Sequence, residues 1–282
     1  METYKNRRDY LVAVFEDSMR VINGDEVLTT AVRQSVRGQR FVAEDEAVVV
    51  PEPRFADKAQ VLVTKNRSFE AAVSYATRGL KTAVLNFASA SHPGGGVEHG
   101  ASAQEEGLCR VSTLYPCLKD GRMWQKFYAP HRLSRNPLHN DDIIYTPDVL
   151  VFKDDDYSPL SPFVAVDVIT CAAPNLMAAS SCFDNQHTGS AVQLSDSELL
   201  ALHEKRGRKI LSVAAANGVD VVILGAFGCG AFSNNPYVVA QAYKNILSEY
   251  ALFFRTIEFA VYCRPDNDEN YSAFSRTLAA EL

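Results

Sequence analysis

Five short runs of nearly continuous apolar and β-branched residues, spread between residues 59 and 263, constrain the fold of this chain most strongly. Runs of this kind are typical of strands that are buried on both faces. Long stretches with helical spacing lie between them. The alternation therefore predicts an α/β sandwich with a mixed, mostly parallel central sheet. The predicted strands are AQVLVT (59–64), TAVLNFA (82–88), FVAVDVIT (163–170), DVVILGA (220–226) and TIEFAVYC (256–263).

Helical patterns in the sequence predict the helices of the fold and a boundary between an N-terminal extension and a core domain. Apolar spacing and stop signals predict helices over 68–80, 195–218, 236–253 and 271–282. The first 55 residues contain two further helical patterns, RDYLVAVFEDSMRVI and DEVLTTAVRQSV. The connection VVVPEPRFADKAQ is short for a flexible linker. We therefore expect an N-terminal helical extension over 1–58, packed on a core domain over 59–282.

Charge and cysteine usage narrow the classes of function. The net charge is 28 − 34 = −6 and no long Lys/Arg-rich run stands out, so direct binding of duplex nucleic acid is not expected. The six cysteines form no C-x-x-C pair and the six histidines show no ligand spacing, so neither a disulfide framework nor a metal site is indicated. The start has no long apolar run, which predicts neither a membrane span nor a signal peptide and favours a cytoplasmic protein.

Two glycine-rich loops follow predicted strands. The first, after a strand that reaches Asn86, reads SHPGGGVEHGASAQEE (91–106), and the second reads GAFGCGAFSNNP (225–236). Ligands in open α/β sheets bind beyond the carboxyl ends of strands, where these loops lie. Gly94, Gly95 and Gly96 permit a close approach of backbone N–H groups to an anion, although a surface turn also explains such a triplet. The second loop matches neither G-x-G-x-x-G nor the phosphate loop G-x-x-x-x-G-K-[ST], and no Lys follows it, which disfavours a nucleotide triphosphatase.

The acidic residues after the glycine triplet begin a predicted helix near Ala103. Acidic side chains in a first turn are favoured by the helix dipole, which alone explains one glutamate. The helix continues as the largely apolar GLCRVSTLYPCL, which predicts burial. A carboxylate at its start, Glu105 or Glu106, would then face a glycine-lined cleft, where it can act first as an acid and then as a base.

Other side chains near these loops have two interpretations each. Phe227 is expected in the core, whereas Phe232 packs either in the core or against a ligand ring. Cys229 has no His or acidic neighbour in sequence, which argues against a nucleophile. Thr170 and Asn175 follow a strand and either line the same cleft or belong to a plain turn.

Taken together, these blocks resemble the microbial-type poly(ADP-ribose) glycohydrolases, a branch of the macrodomain superfamily. The decisive block is GGG at 94–96, seven residues, and then Gln104-Glu105-Glu106. The resemblance covers roughly residues 60–265. Further matching blocks are VLNFASASHPGGG, AQEEGLCRVSTLYPCL, IIYTPDVLVFKDD, VITCAAPN and GAFGCGAFSNNP.

The resemblance implies a macrodomain-like fold and a metal-independent, cofactor-free hydrolysis that releases ADP-ribose from poly(ADP-ribose). It implies that Glu106 is the catalytic acid and base and that Glu105 helps to hold ribose hydroxyls. The expected partner is ADP-ribose, as a polymer or on a modified protein, and not a membrane. The residues expected to bind ADP-ribose are Asn86, His92, Gly94, Gly95, Gly96, Val97, Gln104, Thr170, Asn175, Gly228, Cys229, Gly230, Ala231 and Phe232.

The chain departs from the family pattern on the side expected to hold the leaving group. His92 stands where the family often has Asn, and Val97 stands where microbial members often carry an aromatic residue. The segment VTKNRSFEAA (63–72), with the basic Lys65 and Arg67, also differs from the family's usual sequence. A hydrolase for arginine- or glutamate-linked mono-ADP-ribose therefore remains an alternative. A non-catalytic ADP-ribose-binding module is the third hypothesis, against which the intact glutamate pair argues.

Overall fold

A seven-stranded sheet forms the centre of the computed structural model, which describes residues 6–177 and 192–279. The strands are β1 (Arg40–Val42), β2 (Gln60–Thr64), β3 (Thr82–Phe87), β4 (Ile143–Lys153), β5 (Pro159–Cys171), β6 (Val221–Leu224) and β7 (Thr256–Ala260). They lie in the order β1-β4-β5-β3-β6-β7-β2. Strands β5, β3, β6, β7 and β2 are parallel, whereas β4 is antiparallel to both β1 and β5. The predicted mixed, mostly parallel sheet is confirmed.

Helices cover both faces of this sheet. Strand β3 shows the alternation, because Ala83 and Leu85 pack into one apolar cluster and Val84 into the other. The helices are α1 (Arg7–Gly24), α2 (Glu26–Gly38), α3 (Ser68–Ala76), α4 (Gln104–Val111), α5 (Leu114–Leu118), α6 (Gly121–Met123), α7 (Ala129–Ser134), α8 (Asp196–Ala216), α9 (Pro236–Leu247) and α10 (Glu269–Thr277). The first cluster includes residues of α8, α9 and α10, and the second includes residues of α1, α3, α4 and α5.

Strands β1 and β4 were not predicted from the sequence. Strand β1 has only three residues, too few for a periodic pattern. Strand β4 contains Pro147 and Asp148, which are typical of turns. Its pairing with β5 shifts register between Thr146 and Val149, and Asp148 has a positive φ of 52°. The irregularity accommodates the proline, so the strand continues through a sequence that resembles a loop.

The N-terminal segment contacts the rest of the fold at several places. Helix α1 packs against α4 and against a short 3₁₀ turn at Val97–His99, and α2 packs against β4. The same segment supplies the edge strand β1. The division of the chain at residues 58/59 stays a prediction. The end of the predicted last helix, 280–282, lies outside the described residues, as does Cys182.

The central position of β3 determines where a site can form. Its neighbours β5 and β6 run parallel to it, so the three carboxyl ends meet at one edge of the sheet. Asn86 lies opposite Thr170 there, and Phe87 lies opposite Cys171. Both glycine-rich loops and the segment that follows β5 begin at this edge.

Candidate active site

Two adjacent carboxylates at the start of α4 are almost fully buried, with Glu105 2% and Glu106 6% exposed. Both oxygens of Glu105 accept hydrogen bonds, Oε1 from Asn86 Nδ2 at 3.2 Å and Oε2 from the Ser89 amide at 2.7 Å. Glu106 Oε1 accepts from the Gly96 amide at 2.9 Å. Glu106 Oε2 is buried and has no hydrogen-bond partner among the described residues. The two side chains are therefore in different environments.

The environment of Glu105 favours its protonated form. Burial, followed by the charge of Glu106, raises the pKa of Glu105 to about 8, although donors from Ser89, Asn86 and the Gly94 backbone act in the opposite direction. A pKa near 8 keeps Glu105 mostly protonated at neutral pH.

The glycine triplet fits closely around these carboxylates. Gly94 and Gly95 have positive φ values of 73° and 58°, which glycine adopts without strain. A Cβ at Gly95 would lie 2.4 Å from Glu106 Oε1 and 3.2 Å from Glu105 Oε2. A Cβ at Gly94 would lie 2.6 Å from the ring of Tyr115. Side chains are therefore excluded by contacts inside the protein at these two positions.

Gln104 connects α4 to strand β3. Its Oε1 accepts from the Phe87 amide at 2.9 Å, and its Nε2 donates to the Leu85 carbonyl at 2.7 Å and to Ser68 Oγ at 3.1 Å. These contacts fix the start of α4, and with it both glutamates, at the end of the central strand. The binding of ADP-ribose by Gln104 stays a prediction.

The second glycine-rich loop bends away from β6 and exposes its tip. Gly228 has a φ of 79°, and a Cβ there would lie 2.8 Å from Ala173 Cβ. Gly230 and Ala231 are exposed, and a Cβ at Gly230 would have no atom within 4 Å. Burial raises the pKa of the half-buried Cys229 thiol, which argues further against a nucleophile. Phe227 is buried 5.5 Å from the Phe87 ring, as expected.

Asn234 determines the shape of this loop, and the sequence analysis did not select it. Its Nδ2 donates to the carbonyls of Pro174, Gly228 and Phe232 at 2.7, 3.0 and 3.2 Å. Its Oδ1 lies 2.8 Å from His203 Nε2. The signal that could have found it is the pair of asparagines before Pro236, since asparagine is typical of turns.

Comparison with known proteins agrees with this arrangement. A family model described as the microbial-type PARG catalytic domain matches residues 11–154. The poly(ADP-ribose) glycohydrolase (PARG) of Thermomonospora curvata has 30% sequence identity and a TM-score of 0.83 over 96% of this chain and 100% of that chain. The chain belongs to the microbial-type PARG family.

Two further solved structures of PARG contain a ligand. The Thermomonospora curvata enzyme bound to the inhibitor ADP-HPD has 31% identity and a TM-score of 0.80, over 95% of this chain and 99% of that chain. PARG of Deinococcus radiodurans in complex with ADP-ribose has 33% identity and a TM-score of 0.74, over 88% and 97%. No curated protein matches the chain. The resemblance identified from the sequence and the macrodomain-like fold are confirmed.

Strand β5 and the segment after it contribute two of the residues that the PARG resemblance selects. Thr170 is fully buried, and its Oγ1 accepts from Asn86 Nδ2 at 3.2 Å. Asn175 forms a turn, because its Oδ1 accepts from the Met177 amide at 3.1 Å. Asn175 lies beside the second glycine-rich loop, since Asn234 of that loop donates to the carbonyl of the neighbouring Pro174. Their contact with ADP-ribose stays a prediction.

The remaining residues selected through the PARG resemblance lie on either side of the carboxylates. His92 is half-buried, with Nδ1 2.9 Å from Ser91 Oγ. Val97 is fully buried in an apolar cluster, so its side chain packs inside the protein. The half-buried Phe232 ring lies 6.1 Å from that of His139. The roles of all three toward ADP-ribose stay predictions.

Within residues 6–177 and 192–279, no group of three or more His, Cys, Asp or Glu side chains is arranged to hold a metal ion. In the same residues, no helix has the length and apolar character needed to cross a bilayer.

Proposed function

We propose that this protein hydrolyses poly(ADP-ribose) and releases ADP-ribose, with Glu106 as the general acid and then the general base. Membership of the PARG family and the ADP-ribose complex of the Deinococcus radiodurans relative support this assignment. The single observation that carries the role of Glu106 is the state of its second oxygen. Three of the four carboxylate oxygens of the pair accept N–H bonds, and Glu106 Oε2 is the fourth.

The proposed reaction uses this oxygen twice. Protonated Glu106 donates its proton to the glycosidic oxygen as the C1–O bond breaks, so the leaving ribose departs as an alcohol and the ADP-ribose carbon becomes an oxocarbenium ion. Glu106, now ionised, removes a proton from water, and the hydroxide adds to that carbon. Adjacent residues in one helical turn cannot flank a sugar from two sides, so the two-carboxylate arrangement of most glycosidases does not apply.

Glu105 acts in this proposal as the fixed neighbour of Glu106 that helps to hold ribose hydroxyls. Both of its oxygens are engaged by Asn86 and Ser89, which holds the side chain in place. Burial favours the protonated form of Glu105, which lessens the charge repulsion on the neighbouring Glu106 carboxylate. No step of this reaction requires a metal ion.

The exposed tip of the second loop is the proposed position of the diphosphate. Backbone N–H groups in a loop before a helix can bind anionic oxygens, and α9 begins at Pro236 directly after this loop. Gly230 and Ala231 present backbone to the solvent side without a covering side chain. The distal ribose would then lie between this loop, with Phe232, and the carboxylates.

Gly230→Val is expected to weaken ADP-ribose binding at least about tenfold, or ~1.4 kcal/mol, because the side chain fills the space beside the loop backbone. The fold should tolerate the change, since a Cβ at Gly230 would have no atom within 4 Å and its φ is not positive. Isothermal titration with ADP-ribose measures the affinity, and thermal unfolding checks the fold. Wild-type affinity in a folded variant would show that the diphosphate binds elsewhere.

A substrate comparison tests the proposed function. The protein is incubated with poly(ADP-ribose) and, separately, with arginine- and glutamate-linked mono-ADP-ribosylated proteins, and free ADP-ribose is measured with and without EDTA. Release from the polymer, unchanged by EDTA, is expected. Release only from a mono-modified protein would replace the polymer by that substrate. Tight binding of ADP-ribose with no release from any substrate would leave a binding module.

A further inference from the structure

Helix α1 contacts the loop 94–101, which carries the amide bonded to Glu106. Arg8 Nε donates to the His99 carbonyl at 2.5 Å. A Cβ at Gly100, which has a φ of 72°, would lie 2.4 Å from the Arg8 carbonyl oxygen. The backbones of the helix and the loop are therefore in direct contact, and glycine is required at the closest point.

Arg110 makes a second connection between the same two elements. It lies one helical turn after Glu106 in α4 and is only 1% exposed. Its Nε donates to the Leu11 carbonyl of α1 at 3.2 Å, and its Nη2 donates to the Ala101 carbonyl at the end of the loop. Ser18 of α1 in turn donates to the Arg110 carbonyl at 2.6 Å. The guanidinium of Arg110 thus connects α4, the helix that carries Glu106, to α1 and to the loop 94–101.

An aromatic contact holds the other end of the loop. The Phe15 ring of α1 packs edge-to-face on Tyr115, with ring centres 4.8 Å apart. Tyr115 packs against Gly94, where a Cβ would lie 2.6 Å from its ring, and its hydroxyl donates to Glu98. The loop is therefore held near Gly94 by apolar packing and near His99 to Ala101 by two arginines.

We propose that Arg110 and Arg8 are positioning residues that tie the loop 94–101 to α1 and so hold the Gly96 amide on Glu106. The inference rests on the proposed function, because it assigns these arginine contacts a role in the acid and base steps of Glu106. The Gly96 amide and the unpartnered Oε2 belong to the same carboxyl group, so a shift of the loop rotates the oxygen that donates the proton. A displacement of about 1 Å at such a group reduces catalysis while leaving distant binding contacts in place.

Arg8→Met removes the hydrogen bond to the loop at an exposed position, where the substitution does not endanger folding. Arg7→Met, on the same exposed turn, is the matched control. We expect Arg8→Met to lower kcat on poly(ADP-ribose) about fivefold with KM changed less than twofold. Hydrogen exchange of the Gly96 amide, followed by NMR, should be roughly five- to tenfold faster. Arg8→Lys, which retains a cationic donor, should recover part of both effects.

Arg110→Lys provides the stronger variant, since lysine keeps the charge and loses the fork that reaches two carbonyls. Its kcat should fall at least about tenfold, with thermal unfolding measured to confirm a folded protein. Equal kcat in Arg8→Met and Arg7→Met would overturn the proposal, as would a lower kcat with unchanged Gly96 exchange. If the wild type releases no ADP-ribose from polymer, the proposed function fails, whereas the exchange comparison still decides whether the arginines order the loop.

Discussion

Replacing Glu106 by glutamine is expected to lower kcat for release of ADP-ribose at least about a thousandfold. Glutamine has the same shape, and its Oε1 can still accept the hydrogen bond that the Gly96 amide donates to Glu106 at 2.9 Å. An amide cannot donate an acidic proton to the leaving oxygen or remove one from water. Both steps that we assign to Glu106 are therefore lost, while the walls of the cleft are retained.

The affinity for ADP-ribose should change less than about tenfold in the same variant, since no binding contact is proposed through Glu106 alone. Steady-state kinetics on poly(ADP-ribose) and isothermal titration with ADP-ribose provide the two measurements. Glu52→Gln, which removes an exposed carboxylate, is the control for the change in charge and should match the wild type. A kcat for Glu106→Gln within tenfold of the wild type would remove Glu106 from the acid and base steps.

The sequence predicted the parts of the site that depend on local patterns. A buried strand followed by glycines and an acidic helix start gave the positions of the carboxylates relative to β3. Helix α4 begins at Gln104 with Ala103 as its N-cap, as the break between the loop and the apolar run indicated. The strand that ends beside Asn86 and the glycine-rich loop after β6 also lie at the predicted edge. Such features are encoded within about twenty residues.

The distribution of hydrogen bonds around the glutamates could not be predicted in this way. Which oxygen is free depends on the Ser89 and Gly96 amides and on Asn86, whose orientation is fixed by Thr170, 84 residues further along the chain. The role of Gln104 has a similar origin, because its partners Leu85 and Ser68 belong to a strand and a different helix. These contacts arise from tertiary packing, for which a single sequence carries no local signal.

The short basic segment EKRGRK at 204–209 shows the same limit. Sequence composition suggests only a charged surface, yet Arg206 is 2% exposed. Its Nε donates to Asp141 Oδ1 at 2.7 Å and its Nη1 to the Ala172 carbonyl at 2.6 Å. A buried charge requires such partners, and here they fix the segment that follows β5 beside the site. Arg206 therefore holds the backbone at Ala172, next to the site. No local signal in the sequence indicates this role.

Gly95→Ala is expected to lower kcat/KM on poly(ADP-ribose) about a hundredfold, because the new methyl group clashes with the Glu106 carboxylate and displaces it. The added Cβ would lie 2.4 Å from Glu106 Oε1, so the carboxylate must move, and Glu105 Oε2 at 3.2 Å must move with it. Alanine at a φ of 58° also costs about 1–2 kcal/mol of the free energy of unfolding. That cost leaves most domains folded, since they are stable by about 5–15 kcal/mol.

The two effects can be separated by a second glycine that lacks both constraints. Gly121→Ala adds a Cβ with no atom within 4 Å, at a residue without positive φ, and should retain wild-type kinetics and stability. Measuring kcat/KM together with the unfolding temperature of each variant shows whether activity is lost in a folded protein. If Gly95→Ala were folded and as active as Gly121→Ala, the carboxylates could move without consequence. The close fit of the glycine triplet around Glu106 would then serve the packing of the loop and not the reaction.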